Sequence, residues 1–142
     1  MTRINSAIPP AKLCDQHLVA EYRELPRIST LAWARSVSTN KKTPAPTEFT
    51  LGRGHMAFFV DKGGFCATRF ALLVAEMEAR GFKPQFRTYR PHPEGMNLDH
   101  EPTEAEFDAL VARISLRMPK NPRFTTSKSP SAARLSGQND VF

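Results

Sequence analysis

The chain has 142 residues and a mass of 15.9 kDa, a size that suits one compact domain and leaves little room for a second. Hydrophobic residues make up 40% and charged residues 24%, a balance that excludes a wholly disordered chain. No apolar run approaches the roughly 18 residues that a membrane-spanning helix needs. Lysine and arginine total 20 against 14 acidic residues, and the net charge of +6 favours an anionic partner, most commonly nucleic acid.

The amino terminus and the cysteines bear on the compartment of the protein. The first residues are polar and lack the apolar region of a secretory signal. Cys14 and Cys66 are the only cysteines, too few for a disulfide framework. The spacing of these cysteines, His92 and His100 is not that of metal ligands. We therefore expect a cytoplasmic protein that binds no membrane and holds no metal.

Two helices are predicted before residue 82. The first spans Lys12 to Leu25, and Pro26 is expected to end it or to kink it. The short segment from Leu31 to Val37 can continue as helix. The second helix spans Phe65 to Arg80, where apolar residues recur at helical spacing and Gly81 supplies a C-terminal stop.

A third helix has the clearest boundaries. Thr103 and Glu106 have the spacing of a capping box, in which the side chain of each residue bonds to the backbone N–H of the other. An apolar stripe at helical spacing follows, and Pro119 closes the element. The stripe consists of Phe107, Leu110, Val111, Ile114 and Met118.

The segments between the helices are predicted to be mostly loops. Ser38–Glu48 carries two prolines and two adjacent lysines, and Gln85–Pro102 shows little periodicity. Met56–Val60 fits either a short strand or a buried turn. The last 24 residues, Pro119–Phe142, are basic and rich in serine, proline and alanine, so we expect most of them to be mobile.

These elements predict a mostly α fold. We expect a single compact domain of about three helices with extended loops and a flexible basic C-terminal tail. The domain is placed at residues 1–124 and the mobile tail at residues 125–142. A charged helix face in such a domain can also be a surface that is simply exposed to solvent and has no function in binding.

Polar side chains of mixed chemistry gather on one face of the first helix. At 100° per residue, Gln16, Arg23, Glu24 and His17 fall within about a third of the helix circumference. Arg27 lies beyond the proline and could extend the same face. Arginines suit phosphates, and a glutamate can move a proton or stabilise a developing cation. His17 fits either a phosphate contact or a buried, satisfied histidine.

The amino terminus is a second candidate group. Because Thr2 is small, Met1 is normally removed, which would leave a free α-amine on Thr2. Such an amine has a pKa of about 7.7–8.0, so a useful fraction is unprotonated at neutral pH and can attack an electrophilic carbon to form an imine. Arg3 would lower that pKa further. Many proteins nevertheless begin with Met-Thr and do no such chemistry.

Two glycine-containing turns are weaker candidates. Gly52-Arg53-Gly54-His55 lacks the spacing of a phosphate loop, and its histidine can be structural or functional. Gly63-Gly64 precedes the second helix, where free backbone amides can hold a phosphate. A plain turn explains this glycine pair as well.

The sequence closely resembles one protein family over much of residues 1–82. The segments Met1–Asn5 and Asp15–Arg27 resemble the opening of the bacteriophage endonuclease V family of pyrimidine dimer DNA glycosylases. The likeness continues through Leu51–His55 and Phe58–Lys62 to Arg80–Phe82. The long match over Asp15–Arg27, at the correct distance from the start, is the most specific part.

This resemblance implies a function and a site. A mostly helical, monomeric enzyme would bind duplex DNA containing a damaged base, flip a nucleotide out of the stack, and act without metal or cofactor. The Thr2 α-amine would attack the sugar C1′, expel the base and form an imine, and Glu24 would stabilise the cationic sugar and assist β-elimination. The residues implied in holding DNA phosphates are Arg3, Gln16, His17, Arg23 and Arg27.

Departures from the family pattern leave the substrate open. Ser6–Leu13 differs, Gly63-Gly64 interrupts the usual sequence, and the tail has only Phe124 and Phe142 as aromatic residues. One alternative is the same amine chemistry on a different damaged base or on abasic sites alone. Another is a DNA-binding module without catalysis.

Overall fold

Three α-helices form the framework of the computed structural model, which describes residues 4–37 and 45–125. They are α1 (Asp15–Val37), α2 (Gly63–Ala79) and α3 (Glu104–Leu116). Within the described ranges there is no regular β-strand, and no helix is both long and apolar enough to cross a bilayer. The prediction of a single, mostly α domain with three helices is confirmed.

Two predictions fall largely outside the described residues. Of the predicted loop Ser38–Glu48, the structure describes residues 45–48. Of the tail predicted to be mostly mobile, it describes residues 119–125, and the remainder lies outside. The domain boundary at residue 124 therefore stays a prediction.

Helix α1 differs from its prediction at both ends. It begins at Asp15, because Pro10–Lys12 forms a separate 3-10 turn and Leu13 is extended. It also passes through Pro26 and continues to Val37, so the prediction that Pro26 ends the first helix at Leu25 is wrong.

Tertiary contacts explain why α1 continues beyond its proline. A proline inside a helix costs about 3 kcal/mol because it removes a hydrogen bond and crowds the preceding turn. Beyond Pro26, Ile28 and Ala32 are fully buried and extend the apolar face. Ser29 Oγ donates to the carbonyl of Arg90 at 2.9 Å, and Trp33 Nε1 donates to that of Pro91 at 2.8 Å. These contacts anchor the second half of the helix to the 85–102 loop.

The start of α2 is shaped by Gly63 and Gly64. A Cβ on Gly63 would lie 2.2 Å from Asn97 Oδ1, and one on Gly64 would lie 2.7 Å from the Asn97 carbonyl oxygen. The loop can therefore pack against the helix start, where Gly63 N donates to Met96 O at 2.9 Å and Phe65 N donates to Leu98 O at 3.1 Å. These amides are occupied by protein carbonyls, so the suggested phosphate site at Gly63-Gly64 is not supported.

The other helix boundaries follow local sequence signals. After α2, Gly81 has φ +92°, and the N–H of Phe82 bonds to Met77 O at 2.9 Å, as in a Schellman motif. Before α3, both bonds of the capping box between Thr103 and Glu106 are present. Both predicted signals are confirmed.

The core gathers residues from the three helices, from the 57–59 turn and from the N-terminal segment. Met56–Val60 is not a strand: its centre, Ala57–Phe59, is a 3-10 turn, so the buried-turn alternative is confirmed. Two aromatic rings of this turn enter the core with residues of all three helices and of the N-terminal segment. The fully buried residues of the core include Ile4, Ile8, Leu18, Leu25, Ile28, Phe59, Phe70, Leu73, Leu110 and Ile114.

Candidate active site

Glu24 lies on the polar face of α1 and is almost completely enclosed, with its side chain 5% exposed. Its Oε2 atom forms no hydrogen bond with any described residue. Arg27 Nε lies 3.9 Å from this oxygen, which is an ion pair but is beyond hydrogen-bond distance. A buried carboxylate oxygen without a bonded partner is unfavourable in a folded protein, and it marks a place where a bound group can supply the partner.

Two arginines flank this carboxylate at the surface. Arg23 is exposed, and the Arg27 side chain is 74% exposed. A surface pocket of about 490 Å³ lies beside Arg23, with apolar walls from Val19 and Phe82 and a second cation from Arg123. The face thus combines an enclosed carboxylate with exposed guanidinium groups, which bind phosphates well.

The first turn of α1 is covered by residues 117–125, which we call the C-terminal strap. Gln16 Nε2 donates to Asn121 O at 2.8 Å, and Gln16 Oε1 accepts from Arg123 N at 3.1 Å. Asp15 N donates to Arg123 O at 2.6 Å, and the Asp15 carboxylate accepts from the backbone and hydroxyl of Thr125. Both ends of the Gln16 amide are therefore used within the protein.

His17 is buried beside the same strap. Its Nε2 lies 3.1 Å from the carbonyl oxygen of Arg117, so Nε2 carries the proton and donates. Its Nδ1 is buried and has no hydrogen-bond partner among the described residues. Burial lowers the pKa of His17 and so favours the neutral ring. The hydrogen bond to the Arg117 carbonyl opposes this shift.

A buried ion pair ties the N-terminal segment, residues 4–14, to the helices. Glu21 on α1 is fully buried, and Arg69 on α2 donates to both of its carboxylate oxygens at 2.7 and 2.9 Å. Asn5 Nδ2 donates to Glu21 Oε1 at 3.1 Å, and Arg69 also donates to Ile8 O at 2.6 Å. Because Glu21 precedes Glu24 by three residues, the segment is attached about one helical turn from the open carboxylate.

A second buried arginine holds the end of this segment. Arg80 donates to Asp15 Oδ1 at 2.8 Å and to Leu13 O at 2.7 Å. Asp15 therefore connects the interior with the C-terminal strap. Sequence reasoning missed both residues, because these partners are 65 or more positions apart and no local pattern signals them.

The expected site residues thus divide into three groups. Glu24 is buried beside the exposed Arg27, and its sequence neighbour Arg23 is exposed. Gln16 and His17 lie nearer the start of the helix, in contact with the strap. Thr2 and Arg3 lie outside the described residues.

The comparison with protein families decides between the general classes of function. A model of the pyrimidine dimer DNA glycosylases matches residues 1–94. The chain belongs to this family. It is therefore a DNA repair glycosylase whose substrate is DNA. The match includes the N-terminal segment, α1 and α2, and it ends before α3 and the strap.

Other reactive side chains of the glycosylase are unsuited to nucleophilic or metal chemistry. Burial raises the pKa of the Cys66 thiol to about 12 and also raises that of Cys14, so both thiols stay protonated at neutral pH. Among residues 4–37 and 45–125, no group of three His, Cys, Asp or Glu side chains is placed to hold a metal ion.

Proposed function

We propose that this glycosylase excises ultraviolet-induced pyrimidine dimers through an imine with the Thr2 α-amine and then cleaves the strand by β-elimination. The observation that carries the proposal is Glu24, a buried carboxylate with one unbonded oxygen beside exposed arginines. The family match at residues 1–94 includes both Thr2 and Glu24. We further propose that the enzyme acts as a monomer without a cofactor.

The reaction needs one nucleophile and one group that tolerates positive charge. The Thr2 nitrogen attacks C1′ with its lone pair, while the glycosidic bond breaks and its electron pair leaves with the base, which takes up a proton. Opening of the sugar ring then gives an iminium ion. Removal of a C2′ proton allows the C3′–O bond to break, and the phosphate leaves.

Glu24 is proposed to stabilise the positive charge at two stages. Charge develops on the sugar as the glycosidic bond breaks, and it persists in the iminium. A carboxylate shielded from water interacts with such a cation more strongly than an exposed one does. Its unbonded Oε2 is therefore suited to the cation and to the proton transfers of β-elimination.

The surrounding residues are proposed to hold the DNA. Arg23 and Arg27 are exposed and would contact phosphates directly. Arg3 is proposed to hold phosphates as well. Gln16 and His17 would act through the strap that they bind. Flipping a nucleotide costs a few kcal/mol, and the cost is least where the lesion has already weakened pairing.

Borohydride trapping tests the proposal. Duplexes that contain one thymine dimer, one abasic site or no lesion are incubated with the protein and reduced, and the adduct is mapped by mass spectrometry. An adduct on dimer DNA at the Thr2 amine is the expected result. An adduct on abasic DNA alone would keep the amine chemistry and change the base, and salt-sensitive binding without any adduct would leave a DNA-binding module.

The substitution Glu24→Gln tests the proposed role of this carboxylate. Glu24→Gln should abolish strand cleavage and leave the dissociation constant for lesion DNA within about twofold, because the amide keeps the shape and loses the charge. Glu94→Gln, at an exposed loop position, is the matched control and should cleave at the normal rate. Normal cleavage by Glu24→Gln would remove this residue from the mechanism.

A further inference from the structure

Phe86 is an aromatic residue that the protein holds at its surface, where it is 64% exposed. One hydroxyl group clamps its backbone on both sides: Tyr22 Oη donates to Phe86 O at 3.0 Å and accepts from Phe86 N at 2.8 Å. The Tyr22 ring stacks on the buried ring of Phe70, with the two centroids 5.4 Å apart. The core therefore fixes the position of Phe86, although the residue itself lies at the surface.

Residues 82–91 run beside α1, which places Phe86 next to the exposed arginine side chains of that helix. Phe82 lines the same pocket as Arg23. Phe86 is bound to Tyr22, the sequence neighbour of Arg23. Further along, the carbonyls of residues 90 and 91 accept from side chains in the second half of α1. The segment thus borders the helix that carries the proposed phosphate contacts.

Cations accompany Phe86 on the segment and on the helix. Lys83 and Arg90 are exposed before and after it in the sequence, and Arg23 is exposed on α1. Arg87 is instead paired with a glutamate of α2. A single exposed apolar residue is common on protein surfaces and needs no function. An aromatic residue fixed among cations is different, because proteins that bind opened nucleic acid hold phosphates with cations and stack bases on such rings.

We propose that Phe86 stacks on a DNA base at the point where the duplex is opened for base excision. Tyr22 is the positioning residue, because its hydroxyl fixes the backbone that carries the ring. In an intact duplex the faces of the bases are covered by their neighbours, whereas removal of one nucleotide from the stack uncovers them. The ring therefore favours lesion DNA over undamaged DNA. This inference rests on the nucleotide flipping of the proposed function.

Binding to a duplex that contains one tetrahydrofuran abasic analogue tests the stacking. The analogue has no leaving group at C1′ and forms no imine, so its dissociation constant is independent of catalysis. Phe86→Ala should weaken binding to this duplex about 5- to 100-fold, as expected for the loss of one base–aromatic stack, and should change binding to the undamaged duplex by less than about twofold. The salt dependence should stay the same, because no charge is removed. Leu72→Ala, which truncates an apolar residue that is 51% exposed on α2, is the control and should bind both duplexes normally.

Tyr22→Phe tests the clamp separately from the ring that it holds. The substitution removes the hydroxyl and keeps an aromatic ring to stack on Phe70. Binding to the analogue duplex should weaken about 2- to 10-fold, in line with the loss of modest hydrogen bonds. In the Phe86→Ala background the same substitution should have no effect, because the hydroxyl acts only through the position of the Phe86 ring. A merely structural role of Tyr22 would give the same loss in both backgrounds and on both duplexes.

The outcomes distinguish this inference from the function on which it rests. For Phe86→Ala, an unchanged affinity or an equal loss on the two duplexes would overturn the stacking. A dimer of the free protein that dissociates on this substitution would also overturn it, because the ring would then serve a contact between copies. Borohydride trapping of the unsubstituted protein on a true abasic site is run in parallel. If no adduct forms but the preference for the analogue depends on Phe86, the imine mechanism fails and the stacking holds; if the adduct forms without such a preference, only the stacking fails.

Discussion

Two glutamates on α1, three residues apart, show how burial serves different purposes. The Glu21 carboxylate accepts three hydrogen bonds, two from Arg69 and one from Asn5. Glu24 is nearly as buried, yet its Oε2 has no hydrogen bond from a described residue. The first carboxylate holds the scaffold, and the second is available to a bound cation. Helical spacing placed Glu24 on the polar face, but it could not predict the burial of Glu21, because its partner Arg69 is 48 positions away.

This difference predicts opposite effects of single substitutions on stability. Arg69→Met leaves the Glu21 charge buried without its partner and should lower the free energy of unfolding by about 3–5 kcal/mol. The double variant Glu21→Gln with Arg69→Met should recover much of that loss. Glu24→Gln should change the value by less than about 1 kcal/mol, because no described residue forms a hydrogen bond with Oε2 and the Arg27 ion pair is open to solvent. Urea unfolding measures all three, and equal losses for the Arg69 and Glu24 variants would contradict the assignment.

His17 gives the protein a pH-dependent stability. Burial lowers its pKa in the folded state below the ordinary value of 6.5. The unfolded chain therefore binds the proton more readily, so the contribution is complete above about pH 6.5 and is lost as the pH falls through the folded pKa. The unfolding midpoint should drop between pH 7 and pH 5. His17→Gln, which can still donate to Arg117 O, should flatten part of that drop; an unchanged slope would show that the ring does not titrate as described.

The elements differ in how far their own sequence determines them. The Gly81 stop and the capping box of Thr103 and Glu106 were predictable because their hydrogen bonds lie within a few residues. The passage of α1 through Pro26 was not, since contacts with the 85–102 loop decide it. The same loop explains the glycine pair at the start of α2, because it packs against both glycines and its carbonyls accept from the amides of Gly63 and Phe65.

Gly63→Ala should therefore disrupt the junction between α2 and this loop. The added Cβ would lie 2.2 Å from Asn97 Oδ1, and Asn97 cannot move freely because it bonds to the backbone of His92. We expect the free energy of unfolding to fall by about 2–3 kcal/mol. Gly52→Ala is the control, because a Cβ at this position meets open space but the backbone has a positive φ. Its free energy of unfolding should fall by about 1 kcal/mol. A smaller loss for Gly63→Ala than for Gly52→Ala would contradict this packing.

At the scale of the whole molecule, the net charge could be predicted from the sequence, but contacts between distant segments of the chain could not. The net charge of +6 indicated an anionic partner, and the family match agrees with DNA. Helical spacing predicted Arg23 and Glu24 on one face, whereas the ion pair of Glu24 with Arg27 became visible only in the structure, because Arg27 lies beyond Pro26. The covering of Gln16 by the strap could not be predicted either, because its partners lie more than 100 positions away.

The salt dependence of DNA binding should report the phosphate contacts. Each phosphate neutralised contributes about 0.9 to the slope of log K against log salt. The double variant Arg23→Ala and Arg27→Ala should therefore reduce the slope by about 1.8 if each arginine contacts one phosphate. Arg87→Ala, which removes one arginine paired with Glu78, is the control for the loss of a single positive charge. Equal slopes for the two proteins would place the DNA elsewhere.

The two ends of the described chain meet on α1, and this sets an order for synthesis. The N-terminal segment contacts Glu21 through Asn5, and the strap reaches Asp15 from 110 positions further along. A ribosome that adds about 5–20 residues per second needs several seconds to make the intervening chain. The first helix therefore leaves the ribosome long before its last neighbours exist. During that interval the nascent protein carries an uncovered Asp15 and Gln16, which are covered only after residues 117–125 have been made.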